Sequence, residues 1–128
     1  MDPLQVSETQ RRLVEAGGGY EIVHSSPGLE VGVYVLVAPE ADRQQPHEVD
    51  EVYVVLDGRG RLQIEDELVD LSEGQAAFVS AGADHRFTGY EHLSVLVIFA
   101  GSSSPLDGLS FGAKPGPGYS EGGDIYSP

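Results

Sequence analysis

Positions 20–100 are filled by runs of β-branched and aromatic residues, broken at short intervals by Gly, Pro, Asp and Ser. That texture marks a sandwich or barrel of short strands. It predicts strands at 20–24, 29–38, 51–56, 61–65, 68–71, 76–79, 85–88 and 93–100, about eight antiparallel strands, which suits a jelly roll. Asp57-Gly58-Arg59-Gly60 and Glu65-Asp66-Glu67 read as hairpin turns, making the middle of the chain a meander. Ahead of the strands, Ser7 and Gln10 have the spacing of a capping box, and Val6, Gln10, Leu13 and Val14 recur at helical spacing. Gly17, Gly18 and Gly19 then stop the pattern. The expected organisation is a short helical segment at 1–19, an all-β barrel at 20–100 and a tail at 101–128. The tail holds seven Gly, six Ser and four Pro in 28 positions, too flexible a composition to build its own core.

Three runs, 31–37, 52–56 and 93–99, are apolar at consecutive positions and should be hidden from water on both faces. One face fills the barrel. The other needs the helix, the tail or a second copy of the chain, and one short helix cannot cover three strands. A homodimer through a sheet face is therefore expected.

At 128 residues the chain has room for one domain. Its net charge of −14, with only seven Lys and Arg, argues against nucleic acid and anionic membranes as partners, since both need clustered cations. Cysteine is absent, which excludes disulfides, thiolate metal sites and cysteine nucleophiles. The first twenty residues carry Asp2, Glu8, Arg11 and Arg12 without a continuous apolar stretch, so the cytoplasm is the expected location.

The chemistry that remains centres on histidine and carboxylate. His47 and Glu51 lie four positions apart. In one straight strand their Cα atoms would be roughly 13 Å apart at about 3.3 Å per residue, too far for two donors on one ion at about 2 Å each. A shared metal thus demands a bend across Glu48, Val49 and Asp50. Pro46 just before and the two acids within make one possible. Further on, Gly74, Gly82 and His85 follow the pattern Gly-x7-Gly-x2-His, in which the second Gly turns the chain and aims His85 back inward.

These segments resemble the two motifs of the cupin superfamily. The stretch from Gln45 to Gly58 looks like the first, His-x-His-x3-Glu-x6-Gly, with His47, Glu51 and Gly58 on their expected positions and Gln45 in the slot of the first histidine. Gly74 to Gly89 looks like the second, with Ser80 where Pro is usual and Gly89 where Asn is usual. The resemblance covers residues 20–100 and implies a double-stranded β-helix barrel, a jelly roll, with metal ligands from both motifs meeting near its mouth.

It further implies one divalent ion, Fe, Mn or Zn, on His47, Glu51 and His85, a set that leaves open positions, with Gln45 as fourth ligand. Alternation points Gln45 inward, but Pro46 can reverse the pleat and bring Gln44 in as substitute ligand or substrate contact. No lysine near Glu51 in sequence offers its carboxylate a partner, and burial without one costs several kcal/mol. Tyr53 and Phe87, with Tyr34 and Phe78, are expected to line an apolar pocket. Within it Tyr53 orients substrate or gives a proton and Glu51 serves as general base. His24 and His92 have no motif around them and should lie at strand edges. The implied function is a small metal-dependent enzyme acting on a small organic molecule, of dioxygenase or isomerase, cyclase or lyase type. The alternative is a non-catalytic module that binds a small ligand or the metal.

Overall fold

The computed structural model describes residues 1–101; the tail from 102 onward lies outside the described residues. One helix, α1 (Val6–Glu15), precedes seven strands: β1 (Gly19–Ser26), β2 (Leu29–Val37), β3 (Glu51–Ile64), β4 (Glu67–Ser72), β5 (Ala76–Val79), β6 (His85–Thr88) and β7 (His92–Phe99). Every adjacent pair is antiparallel. No helix among the described residues is long and apolar enough to cross a membrane.

The expected strands at 51–56 and 61–65 form one strand, so the described residues hold seven and Asp57 to Gly60 forms no hairpin. Here two glycines permit a bend instead of a reversal. The register shifts between Val55 and Asp57, a bulge of the kind that turns a barrel corner. Gly58 follows at φ 85, and a Cβ there would lie 2.3 Å from the His92 carbonyl oxygen, so only glycine fits. Before the corner β3 lies between β7 and β5 in a sheet ordered β1-β2-β7-β3 with β5 outside. After it β3 pairs with β4 on one edge and β6 on the other. One strand therefore ties both sheets together. The second expected turn is present, with Glu65 and Asp66 joining β3 to β4.

α1 begins at Val6, after Gln5, and has no side-chain cap. Ser7 lies inside the first turn, so the expected capping box is not formed. The glycine stop holds: Gly18 N–H reaches back to the Leu13 carbonyl at 2.8 Å. α1 lies against β2 and β1, and Arg12 fastens it to β1 through Glu21 at 2.8 Å. β2 is accordingly buried at seven consecutive positions, whereas β3 and β7 keep half-buried residues on their outer face.

The interior follows from the register. Tyr34, Val95 and Val55 form one inward row, and Glu30, Phe99, Glu51 and Val79 form another. The first row is packed core. The second places two carboxylates inside the barrel, at the end where β7 stops and β3 begins.

Candidate metal centre

Residues 38–50 form no strand. They cross the barrel end as a loop pinned at its close: the His47 carbonyl accepts from Gly82 N–H at 2.7 Å, the Asp50 carbonyl from Ala100 N–H at 2.9 Å, and the Asp50 carboxylate from Ala81 N–H at 2.9 Å. The backbone bends at Glu48 and Val49, as a shared ligand set requires. His47 therefore lies within the loop, just before that bend. Glu51 opens β3 between Phe99 and Val79. His85 opens β6 just after the turn at Gly82, whose φ is 83.

The three side chains converge. Their donor atoms all lie within 4.8 Å of one another, with exposures of 8% for His47, 1% for Glu51 and 6% for His85. Glu51 Oε1 is 3.8 Å from His47 Nε2 and 3.2 Å from His85 Nε2. The His47 ring packs edge-on against Phe99, with centroids 4.9 Å apart, which leaves it little rotational freedom.

His85 Nδ1 lies 2.9 Å from the Ala83 carbonyl. A carbonyl can only accept, so Nδ1 carries the proton, and in the neutral ring Nε2 presents a lone pair. That lone pair faces a carboxylate with no hydrogen bond of acceptable geometry to either oxygen. Two electron-rich atoms this close inside a protein call for a second proton on the ring or a metal ion between them. Burial pulls His85 down, but Glu51, the Ala83 carbonyl and Asp42 together raise it above the ordinary histidine value.

Behind the triad runs a chain of hydrogen bonds. His85 Nε2 is 3.1 Å from the Tyr53 hydroxyl, which donates to Gln44 Oε1 at 2.8 Å. Gln44 Nε2 donates to Asp42 Oδ2. Asp42 also accepts from Tyr34 O–H at 2.8 Å and Phe87 N–H at 2.7 Å. Burial, then the Glu51 and Asp42 charges, hold the Tyr53 phenol well above its usual range. Burial pushes Asp42 up to about 6 against the pull of its donors.

The structure thus gathers His47, Glu51, His85, Tyr53 and Gln44. Gln45 is exposed, so the inward position expected for it belongs to Gln44. Pro46 sits in an irregular loop, where strand alternation no longer decides which side chain turns in. Phe78 is 59% exposed. On β5 it is Val79 that shares the row of Glu51, and Phe78 points to the opposite face. Tyr34, Tyr53 and Phe87 are buried in solid core, so the expected apolar pocket is filled. The opening beside the site is instead polar, about 380 Å³, lined by Gln44, Gln63, Glu65, Asp66, Asp84, His85 and Arg86. His92 is exposed near a strand end and faces Asp57 at 3.4 Å. His24, half-buried on β1, contacts Ser26 at 3.1 Å.

Asp42 was not predicted. Its flanks, Ala41 and Arg43, are exposed, as are most of the surrounding loop residues, so no periodic pattern marks it.

A model of the cupin domain matches residues 33–99, just over half of the chain and both segments that supply the triad. The chain belongs to the cupin family. This cupin is 33% identical over 101 residues to an uncharacterized protein of Streptomyces coelicolor, covering 78% of this chain and 96% of that one. Its backbone is similar to a crystal structure from Thermus thermophilus, with a TM-score of 0.65 at 26% identity over 76% of this chain and 95% of that one. It also matches a cupin with a double-stranded β-helix fold from Methanocaldococcus jannaschii, with a TM-score of 0.62 at 16% identity over 71% of this chain and 86% of that one. The double-stranded β-helix of this cupin is the expected one.

Proposed function

We propose that this cupin holds one divalent metal ion on His47, Glu51 and His85 and acts there on a small organic molecule. The observation that carries the reading is Glu51, a 1% exposed carboxylate with both oxygens unsatisfied, beside a ring nitrogen whose proton is on its far side. Two imidazoles and one carboxylate suit Fe(II), Mn(II) or Zn(II) and leave coordination positions open. When bound, the ion supplies Lewis acidity toward a substrate oxygen or, as iron, access to oxygen chemistry. That distinction separates dioxygenase from isomerase, cyclase or lyase activity.

The chain's own residues would do the rest. The Ala83 carbonyl fixes His85 in the tautomer that binds through Nε2. Phe99 holds His47 in place. The polar opening would admit a small substrate to His85 and Gln44, with Tyr53 behind them at 3.1 Å from His85 Nε2, and Glu51 would take a proton from it. Tightly packed core beneath Tyr53, with Phe87 edge-on to its ring at 4.8 Å, keeps water from below.

Elemental analysis of protein purified without chelator tests this, followed by oxygen uptake with small phenols, diketones and keto acids. One ion per chain is expected, and none in a His47→Ala, His85→Ala double variant. Iron with uptake selects the oxygenase; zinc or manganese without uptake selects the isomerase or lyase group. Metal retained by the double variant contradicts the ligand assignment.

A further inference from the structure

We propose that Asp42 is a positioning residue that fixes the direction of the hydrogen bonds behind the site, so that the Tyr53 oxygen faces the metal-binding group as an acceptor. Asp42 is buried, and Phe87 N–H, Tyr34 O–H and the Gln44 side chain all point their hydrogens at it. An ionised carboxylate only accepts, so the Gln44 group beside it must be the NH2. The other end of the same amide, Oε1, then faces Tyr53 at 2.8 Å. A carbonyl oxygen only accepts, so Tyr53 spends its single proton there. What remains toward His85 Nε2, 3.1 Å away, is a lone pair.

The consequence alters the role expected of Tyr53. It is not set up to give a proton to substrate. It is set up to receive a hydrogen bond from a donor in the site, which selects a ligand carrying a hydroxyl or amine over one offering only a carbonyl. Its lone pair also favours a cation nearby. This last part rests on the metal reading, whereas the orientation of the amide does not.

Asp42→Ala is the discriminating substitution, because it removes the acceptor that holds the Gln44 NH2. Asn would not serve: Phe87 N–H shares Oδ2 with Gln44 and would keep an oxygen there. Without Asp42 the Gln44 amide is free to turn and aim an N–H at Tyr53, releasing the phenol proton toward the triad. Two readouts separate the two parts. In the metal-free protein, the ultraviolet Raman doublet of the Tyr53 ring, isolated by subtracting the Tyr53→Phe spectrum, is expected to change from donor to acceptor character. With Co(II) as probe, Asp42→Ala is expected to weaken binding about 10- to 100-fold, the usual cost of losing a partner behind a metal ligand. Tyr53→Phe in the same chain should remove most of that loss, because the misdirected proton goes with the hydroxyl.

Should Asp42→Ala not fold, Gln44→Leu deprives Tyr53 of its acceptor and is expected to weaken Co(II) binding likewise. An unchanged doublet, or effects of Asp42→Ala and Tyr53→Phe that simply add, would overturn the proposal. Absence of Co(II) binding by the unsubstituted protein, with the doublet changing as expected, would overturn the metal reading and leave the orientation standing.

Discussion

Of the three carboxylates buried among the described residues, Glu30, Asp42 and Glu51, the last two are treated in opposite ways. Asp42 is met by three donors, Phe87 N–H, Tyr34 O–H and Gln44 NH2. Glu51, equally buried, has neither oxygen in a hydrogen bond and two imidazoles within 4 Å of it. Burying a charge is tolerated when hydrogen bonds replace its water. By that measure Asp42 is a finished structural element, whereas Glu51 has no such donors and, on the proposed reading, is completed by the metal ion. The difference separates the part of the site that shapes from the part that binds.

Removing each carboxylate should therefore have effects of opposite sign in metal-free protein. The largest is expected from Asp42→Ala, which orphans three buried donors and should lower unfolding free energy by about 3 kcal/mol in urea titration, at roughly 1 kcal/mol or more for each. Smaller, and reversed, is Glu51→Leu, which replaces an uncompensated charge by apolar volume and should stabilise by about 1 to 2 kcal/mol while abolishing metal binding. A loss of stability in Glu51→Leu equal to that in Asp42→Ala would erase the distinction.

The pH dependence sharpens it further. Asp42 lies at about 6 against an ordinary 3.8, so its contribution is full below 3.8 and lost as pH rises toward 6. His85 is raised above 6.5, so its contribution is full below 6.5 and lost as pH climbs through its folded value. Metal-free protein is thus expected to lose stability in two windows, the upper of which disappears in His85→Ala. With metal present the upper trend should invert, because ligand nitrogens must shed protons to bind. Thermal unfolding across pH, with and without Zn(II), reads both. The smallest change in stability is expected at Phe78, exposed on the outer sheet face. Phe78→Asp should leave unfolding nearly unchanged, yet halve the mass in sedimentation equilibrium if two copies pair across that face.

The triad was legible because strand register and glycine turns are local rules. Glu51 opens an apolar run, and Gly82 precedes His85 by a fixed step, so the resemblance to the two cupin motifs could be carried over position by position. The loop between β2 and β3 follows no period, so the sequence leaves Gln45 and Gln44 as alternatives and gives Asp42, among exposed neighbours, no mark. Its role arises from contacts across 45 residues of chain, to Phe87, which no local pattern encodes. The corner at Gly58 failed for a related reason. Asp-Gly suits a hairpin equally well, and only the partners of β3, two on each side of the bend, decide that the strand runs on. Phe78 turns outward because β5 pairs with β3 in a register that alternation within either strand does not set, and that register puts Val79 beside Glu51.

Anomalous scattering from crystals soaked in Mn(II) tests the central claim most directly. The account predicts one strong peak per chain, bonded at about 2 Å by His47 Nε2, His85 Nε2 and a Glu51 oxygen. A blank map at that point, with His85 hydrogen-bonded to Glu51 in the same crystals, would contradict it.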